Sequence, residues 1–305
     1  MNSFQIHVSD EVGVALSQHK PVVALESTIF SHLGLPSPAN LKALTRCTAA
    51  LRSHGVVPAI TAVLDGVARV GIDENEWQLI LGPAQKVGER ELGTAMALKW
   101  PVGATTVSSS LLLAARVGIR VFSTGGIGGV HRGAEMSGDI SSDLGAIAEH
   151  HVVTVCAGAK SFLDLPRTLE YLETLSVPVL GLGCDFFPEF TVEHGDIKIP
   201  ARVETIKELA EIVRANDALG RNGGILACVP VPKKDGLIKS FMDEITATAL
   251  NDANKQGITG AAVTPFVLKF IANATQDASV NANLSLAENN ALTAAQLAVE
   301  LSTAQ

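Results

Sequence analysis

The chain has 305 residues, 47% of them hydrophobic and 18% charged, a composition that folds around a large core and excludes a disordered chain. Its 31 acidic and 23 basic residues give a net charge of −8, and aromatic residues amount to only 4%. No nucleic acid is expected as the main partner, since such binding needs a cationic surface or aromatic stacking platforms. Cys47, Cys156, Cys184 and Cys228 form no CxxC pair, so neither a disulfide framework nor a thiolate zinc site is expected. That usage fits a reducing, cytoplasmic setting. The N-terminus lacks the basic and apolar order of a signal peptide, and no apolar run reaches the roughly 18 residues that span a bilayer, so no membrane is expected.

Ser9-Asp10-Glu11 reads as a helix start, and Pro21 to Leu25 as a short buried strand. Leu41, Leu44, Thr48 and Leu51 recur at helical spacing, Gly55 closes that helix, and Val56 to Leu64 is the next apolar run. Asp65-Gly66 predicts a hairpin turn into Val67 to Ile72. Further strands are expected at Gly103 to Val107, Ile119 to Ser123, Val152 to Cys156, Val177 to Leu182 and Ile225 to Val229. Helical patterns lie near 108–117, 141–149, 166–175, 202–218 and 238–256. The alternation predicts an α/β fold, an α/β/α layered domain whose sheet is covered by helices on both faces. The stretch from Thr264 to Leu301 reads as a helical C-terminus with a break around Asn281 to Asn283. No repeat or linker divides the chain, so residues 1–305 read as one domain.

Ligands of such sheets bind beyond the carboxyl ends of the strands, which directs attention to the polar residues after each apolar run. Glu26 follows Leu25 directly, as a general acid or base or, more plainly, as a turn cap. In Thr124 to Gly133 the glycines at 125, 126, 128 and 129 let backbone amides approach an anion and His131-Arg132 adds positive charge, although a flexible turn explains the same residues. His131 stands where a GxGxxG loop requires glycine, which excludes the dinucleotide fingerprint. Asp139, Ser141, Ser142 and Asp143 form an oxygen-rich cluster at a helix start, suited to Mg2+ or Mn2+ with a phosphate or hydroxyl ligand. Asp143 could equally do no more than complement the helix dipole. Lys160 follows an apolar strand and small residues, where partial desolvation would lower its pKa and make the amine a Schiff-base nucleophile. A snorkelling surface lysine is the bland alternative, and Ala159 before it excludes a Walker loop.

The runs TGGIGGVHRGAE, DISSDL and CAGAKSFLDLPRTLEYLET, with Ala24 to Ile29 and Gly103 to Val107, resemble the pseudouridine-5′-phosphate glycosidases, a family related to indigoidine synthase A-like proteins. The likeness extends through Asn222-Gly223-Gly224 and Thr264-Pro265-Phe266 to Asn283 and Asn289-Asn290. It implies reversible conversion of pseudouridine 5′-phosphate and water into ribose 5-phosphate and uracil, a homotrimer, and a divalent metal, usually manganese. Carried over residue by residue, it implies Glu26 as proton donor and Lys160 as covalent nucleophile. It further implies Lys86, Val107, Ser141, Ser142 and Asp143 as substrate contacts, Asp139 as metal ligand, and His131 and Asn283 as pocket residues. The chain departs from the family pattern in the loop Ser31 to Pro36, one residue longer, and in Gly181 to Phe190, which lacks the family's Tyr and Thr. Other readings are a C-glycoside synthase joining ribose 5-phosphate to another aromatic aglycone, a non-catalytic sugar-phosphate-binding protein, and a sugar-phosphate aldolase.

Overall fold

The computed structural model describes residues 5–258, 260 and 263–303. Its strands are β1 (Ile6–Val8), β2 (Val22–Leu25), β3 (Val57–Leu64), β4 (Val67–Val70), β5 (Gln85–Val87) and β6 (Val102–Thr105). They continue as β7 (Val121–Ser123), β8 (Val153–Cys156), β9 (Val179–Leu182), β10 (Ala201–Val203) and β11 (Ile225–Cys228). The helices are α1 (Asp10–Ser17), α2 (Ala39–Arg52), α3 (Trp77–Leu81), α4 (Glu89–Ala97), α5 (Val107–Arg116) and α6 (Ala134–Ser137). After them come α7 (Ser142–Glu149), α8 (Leu165–Thr174), α9 (Ile206–Ala218), α10 (Lys239–Lys255), α11 (Val263–Ala274) and α12 (Ala278–Ser302).

All strands join one sheet in the order β1-β4-β3-β2-β7-β8-β11-β9-β10, with β6 on β3 and β5 on β6. Every pairing is parallel except β3 with β4 and β3 with β6. Parallel strands buried on both faces read as continuous apolar runs, and β2, β7, β8 and β11 are buried at every position. Their side chains alternate between two cores. Val22, Ala24 and Phe122 join one with α1, α4, α5, α7 and α8, while Val23, Leu25 and Val121 join the other with α2, α9 and α12. The layering is therefore α/β/α, as the sequence predicts.

The expected hairpin forms at Asp65-Gly66, whose φ values of 49° and 76° are the pair that a two-residue turn between twisted strands requires. Val107 falls past the expected strand as the first residue of α5, and the pattern at 202–218 divides into β10 and α9. The break expected around Asn281 to Asn283 is not there: α12 runs unbroken through it. The chain turns earlier, at Gln276 and Asp277, both with positive φ.

One feature of the sheet positions the site. β2 pairs with Val57 to Ile60 in parallel and β6 pairs with Ala62 to Leu64 in antiparallel, so the carboxyl ends of β2 and β6 meet head to head beside Thr61. Glu26 and Thr106 leave the sheet at this fork.

Candidate active site

Glu26 is 7% exposed, at the fork between β2 and β6. Burial pushes its carboxyl up to about 7, against the opposing pull of the Lys160 cation and of a hydrogen bond from the Thr124 hydroxyl. Thr124 follows β7, the neighbour of β2, so adjacent strand ends supply the acid and its donor. Sequence reasoning placed Thr124 in the loop without this role. A hydroxyl directly after an apolar strand is the signal that could have marked it.

Lys160 follows β8, the next strand across, and its Nζ donates to the Gly126 carbonyl at 2.9 Å. Desolvation lowers the pKa of the amine, opposed by the Asp143 and Glu26 carboxylates and reinforced by Lys86. The snorkelling alternative does not fit a half-buried lysine bonded to the main chain of the site loop.

Ser141 caps α7 by accepting from the Asp143 N–H at 3.3 Å. The Asp143 carboxylate, 7% exposed, accepts from the Ser108 N–H of α5 at 3.2 Å and from the Gly128 N–H at 2.9 Å. It braces two helix starts against the glycine-rich loop, a larger task than complementing its own helix dipole. The Ser142 hydroxyl donates to Ser108 Oγ at 3.2 Å. Val107 is a core residue by its side chain and stands in the first turn of α5, so any contact it makes with a ligand runs through its main chain.

Lys86 is exposed on β5, close enough to act electrostatically on Glu26, His131 and Lys160. His131 Nδ1 lies 3.9 Å from Asp139. Burial holds this imidazole below its usual range, opposed by Asp139 and reinforced by Lys160 and Lys86. Asn283, on α12, has a buried Oδ1 without a hydrogen-bond partner, 3.3 Å from where a Cβ on Gly125 would lie. It lines a cavity of about 370 Å³ together with Ser161 and Phe162, the neighbours of Lys160, and with Phe190 and Leu35.

Asp139 presents a 37% exposed side chain at the rim of this group. A single accessible carboxylate suits a hard divalent cation that keeps most of its waters and takes further oxygens from a phosphorylated ligand. Among the described residues, the one set of three acidic or histidine side chains close enough to share an ion is Glu89, Glu149 and His150, away from Asp139.

A sheet of this type, with a buried acid and a depressed lysine amine gathered at its carboxyl end, defines an α/β/α enzyme. The family described as indigoidine synthase A like protein matches residues 11–300. A pseudouridine-5′-phosphate glycosidase of Geobacillus kaustophilus is 45% identical over 99% of this chain and 100% of its own length. One from Caldanaerobacter subterraneus subsp. tengcongensis is 43% identical over 99% of this chain and 98% of its own. Among solved structures, the prealnumycin C-glycosynthase in complex with ribulose 5-phosphate superposes with a TM-score of 0.90 at 33% identity, covering 98% of both chains. The chain belongs to the indigoidine synthase A-like family.

Proposed function

We infer that the protein cleaves the C–C glycosidic bond of pseudouridine 5′-phosphate, reversibly, to ribose 5-phosphate and uracil. The observation that carries this reading is the pair Glu26 and Lys160, an acid whose pKa is raised and an amine whose pKa is lowered, at the ends of β2 and β8 with β7 between them. A C-glycoside has no electronegative leaving atom to protonate, so the two-carboxylate route of ordinary glycosidases is closed to it. An amine opens another. Glu26 gives a proton to the ring oxygen as the neutral Lys160 amine bonds to C1′ and the C1′–O4′ bond breaks. The nitrogen of this adduct gives up its extra proton, its lone pair forms the Lys160 iminium as the C1′–C5 bond breaks, and that bond's electron pair passes to the uracil carbon, which takes up the released proton. Water adds to the iminium carbon, and release of the amine yields ribose 5-phosphate.

Lys86, His131, Ser141 and Ser142 line the end where the sugar phosphate binds, beside the converging starts of α5 and α7. Asp139 would hold Mn2+ or Mg2+, which would neutralise phosphate charge when bound. Asp143 and the Val107 main chain shape this end, and Asn283 faces the aglycone cavity. The relatives at 43–45% identity carry the glycosidase name, which favours cleavage over synthesis. The C-glycosynthase at 33% identity supports the second reading, transfer of ribose 5-phosphate to another aromatic carbon. A homotrimer working in the cytoplasm completes the reading.

The test is uracil release from pseudouridine 5′-phosphate with manganese, by wild type and Lys160→Ala. Release by wild type alone is expected. Release by both would remove Lys160 from its role, and none from wild type, with turnover of another aromatic acceptor and ribose 5-phosphate, would establish the synthase.

A further inference from the structure

Two residues, one apart in the chain, touch the two reacting groups. The Thr124 hydroxyl donates to Glu26, and the Gly126 carbonyl accepts from Lys160 Nζ at 2.9 Å. Between them lies Gly125, and two successive glycines give this stretch little rigidity of its own. Side chains have no room there, since a Cβ on Gly126 would lie 2.6 Å from the Phe190 ring.

Main-chain bonds to the β8 side hold one edge of the stretch, from the Thr124 N–H to the Val155 carbonyl and from the Ala157 N–H to the Gly125 carbonyl, and Asn290 holds it from behind. It sits inside α12, 0% exposed, and its amide donates to the Thr124 carbonyl at 2.8 Å and to the Gly125 carbonyl at 3.1 Å. The reverse amide orientation would set an oxygen against two carbonyl oxygens, so the donor assignment is fixed. Its own Oδ1 has no partner. Asparagine is a poor residue for a helix interior, and a half-satisfied buried amide carries a desolvation cost. Leu286, Ala287, Ala291 and Ala294 beside it on α12 belong to the apolar core, so the two carbonyls are the partners that a polar side chain answers here.

We propose that Asn290 is a positioning residue for the reaction: by gripping the Thr124 and Gly125 carbonyls it keeps the Thr124 hydroxyl on Glu26 and the Gly126 carbonyl on Lys160. The inference rests on the assignment of Glu26 and Lys160 above. It reaches the reacting groups through main chain alone.

Asn290→Leu and Asn290→Ala test it with two readouts. One is uracil release from pseudouridine 5′-phosphate across pH. The other needs no substrate: the pH dependence of Lys160 acylation by acetic anhydride, read by peptide mass spectrometry. Both variants are expected to lose about tenfold or more in kcat with KM changed little, as misplacement of reacting groups does. The limb of the rate profile set by Glu26 should move to higher pH as its donor loosens, and the acylation profile of Lys160 should move with it. Variants that melt at lower temperature but keep both profiles would make Asn290 a packing residue and overturn the proposal. So would failure of both variants to fold. Acylation profiles that shift in a protein whose wild type releases no uracil would refute the glycosidase reading and leave the positioning role standing.

Discussion

Ser27 and Thr105 exchange hydrogen bonds across the fork in the sheet: the Thr105 N–H donates to Ser27 Oγ at 2.9 Å, and the Ser27 N–H donates to Thr105 Oγ1 at 3.3 Å. Strands that meet end to end have no ladder between them, so these hydroxyls take over the pairing that their terminal amides would otherwise lack. Thr61 completes the junction, accepting from Thr105 Oγ1 through its carbonyl at 2.7 Å. The fork fixes where Glu26 leaves β2.

Ser27→Ala removes the acceptor of the fully buried Thr105 amide. The expected cost is about 1–3 kcal/mol of stability in urea denaturation, the price of an unmade buried hydrogen bond. A variant as stable as wild type would show that the strand ends are held by β3 alone.

Glu26 predicts a characteristic dependence of stability on pH. Its carboxyl titrates at about 7 in the fold against 4.5 ordinarily, so between those values the folded protein keeps a proton that the unfolded chain has lost. Stability from this group therefore falls as pH rises through that window, by roughly 3 kcal/mol in full. Glu26→Gln removes the effect. Its melting temperature relative to wild type should climb between pH 4 and pH 8, and a difference that stays flat over this range would mean that Glu26 ionises as an ordinary glutamate.

The central strands were legible in the sequence because burial on both faces leaves continuous apolar runs, as in β2, β7, β8 and β11. The edge strands β1, β5 and β10 have three residues each with exposed positions, too short for any periodicity to register. Asn281 to Asn283 misled because asparagine is a weak helix former, yet the packing of α12 on α2 and the sheet overrides that preference. Glu26 stands out as a charge directly after an apolar strand, and Lys160 as one that follows a strand and three small residues. Thr124 and Asn290 did not, since their roles depend on contacts across 98 and 166 residues of chain.

Gly128 is the tightest point of the glycine-rich loop Thr124 to Gly133. A Cβ there would lie 2.3 Å from Ser141 Oγ and 2.9 Å from Asp143 Oδ2, so Gly128→Ala must displace the cap of α7 and the brace on α5. A rise in KM for the phosphorylated substrate of about tenfold or more is expected, the effect of misaligned binding groups. Gly145→Ala is the control: in α7, with nothing within 4 Å of its Cβ, it should gain about 0.5–1 kcal/mol and leave KM unchanged. Equal KM values in both variants would take the loop out of phosphate binding.

The proposal that Asp139 holds a divalent ion has a rival in the Glu89, Glu149 and His150 set, and chemistry separates the two. His150 Nε2 already lies 3.1 Å from both Glu89 oxygens, so an ion there must displace a formed contact and would favour a nitrogen-seeking metal such as Zn2+. Asp139 offers oxygen alone, which suits Mn2+ or Mg2+ with water and phosphate. A ligand that binds only the folded state raises the melting temperature in proportion to its saturation. Manganese with ribose 5-phosphate should therefore stabilise wild type and Glu149→Gln alike, and Asp139→Asn far less, with about tenfold or more manganese needed to recover activity after chelation. Stabilisation that survives in Asp139→Asn and disappears in Glu149→Gln would move the ion to the histidine set.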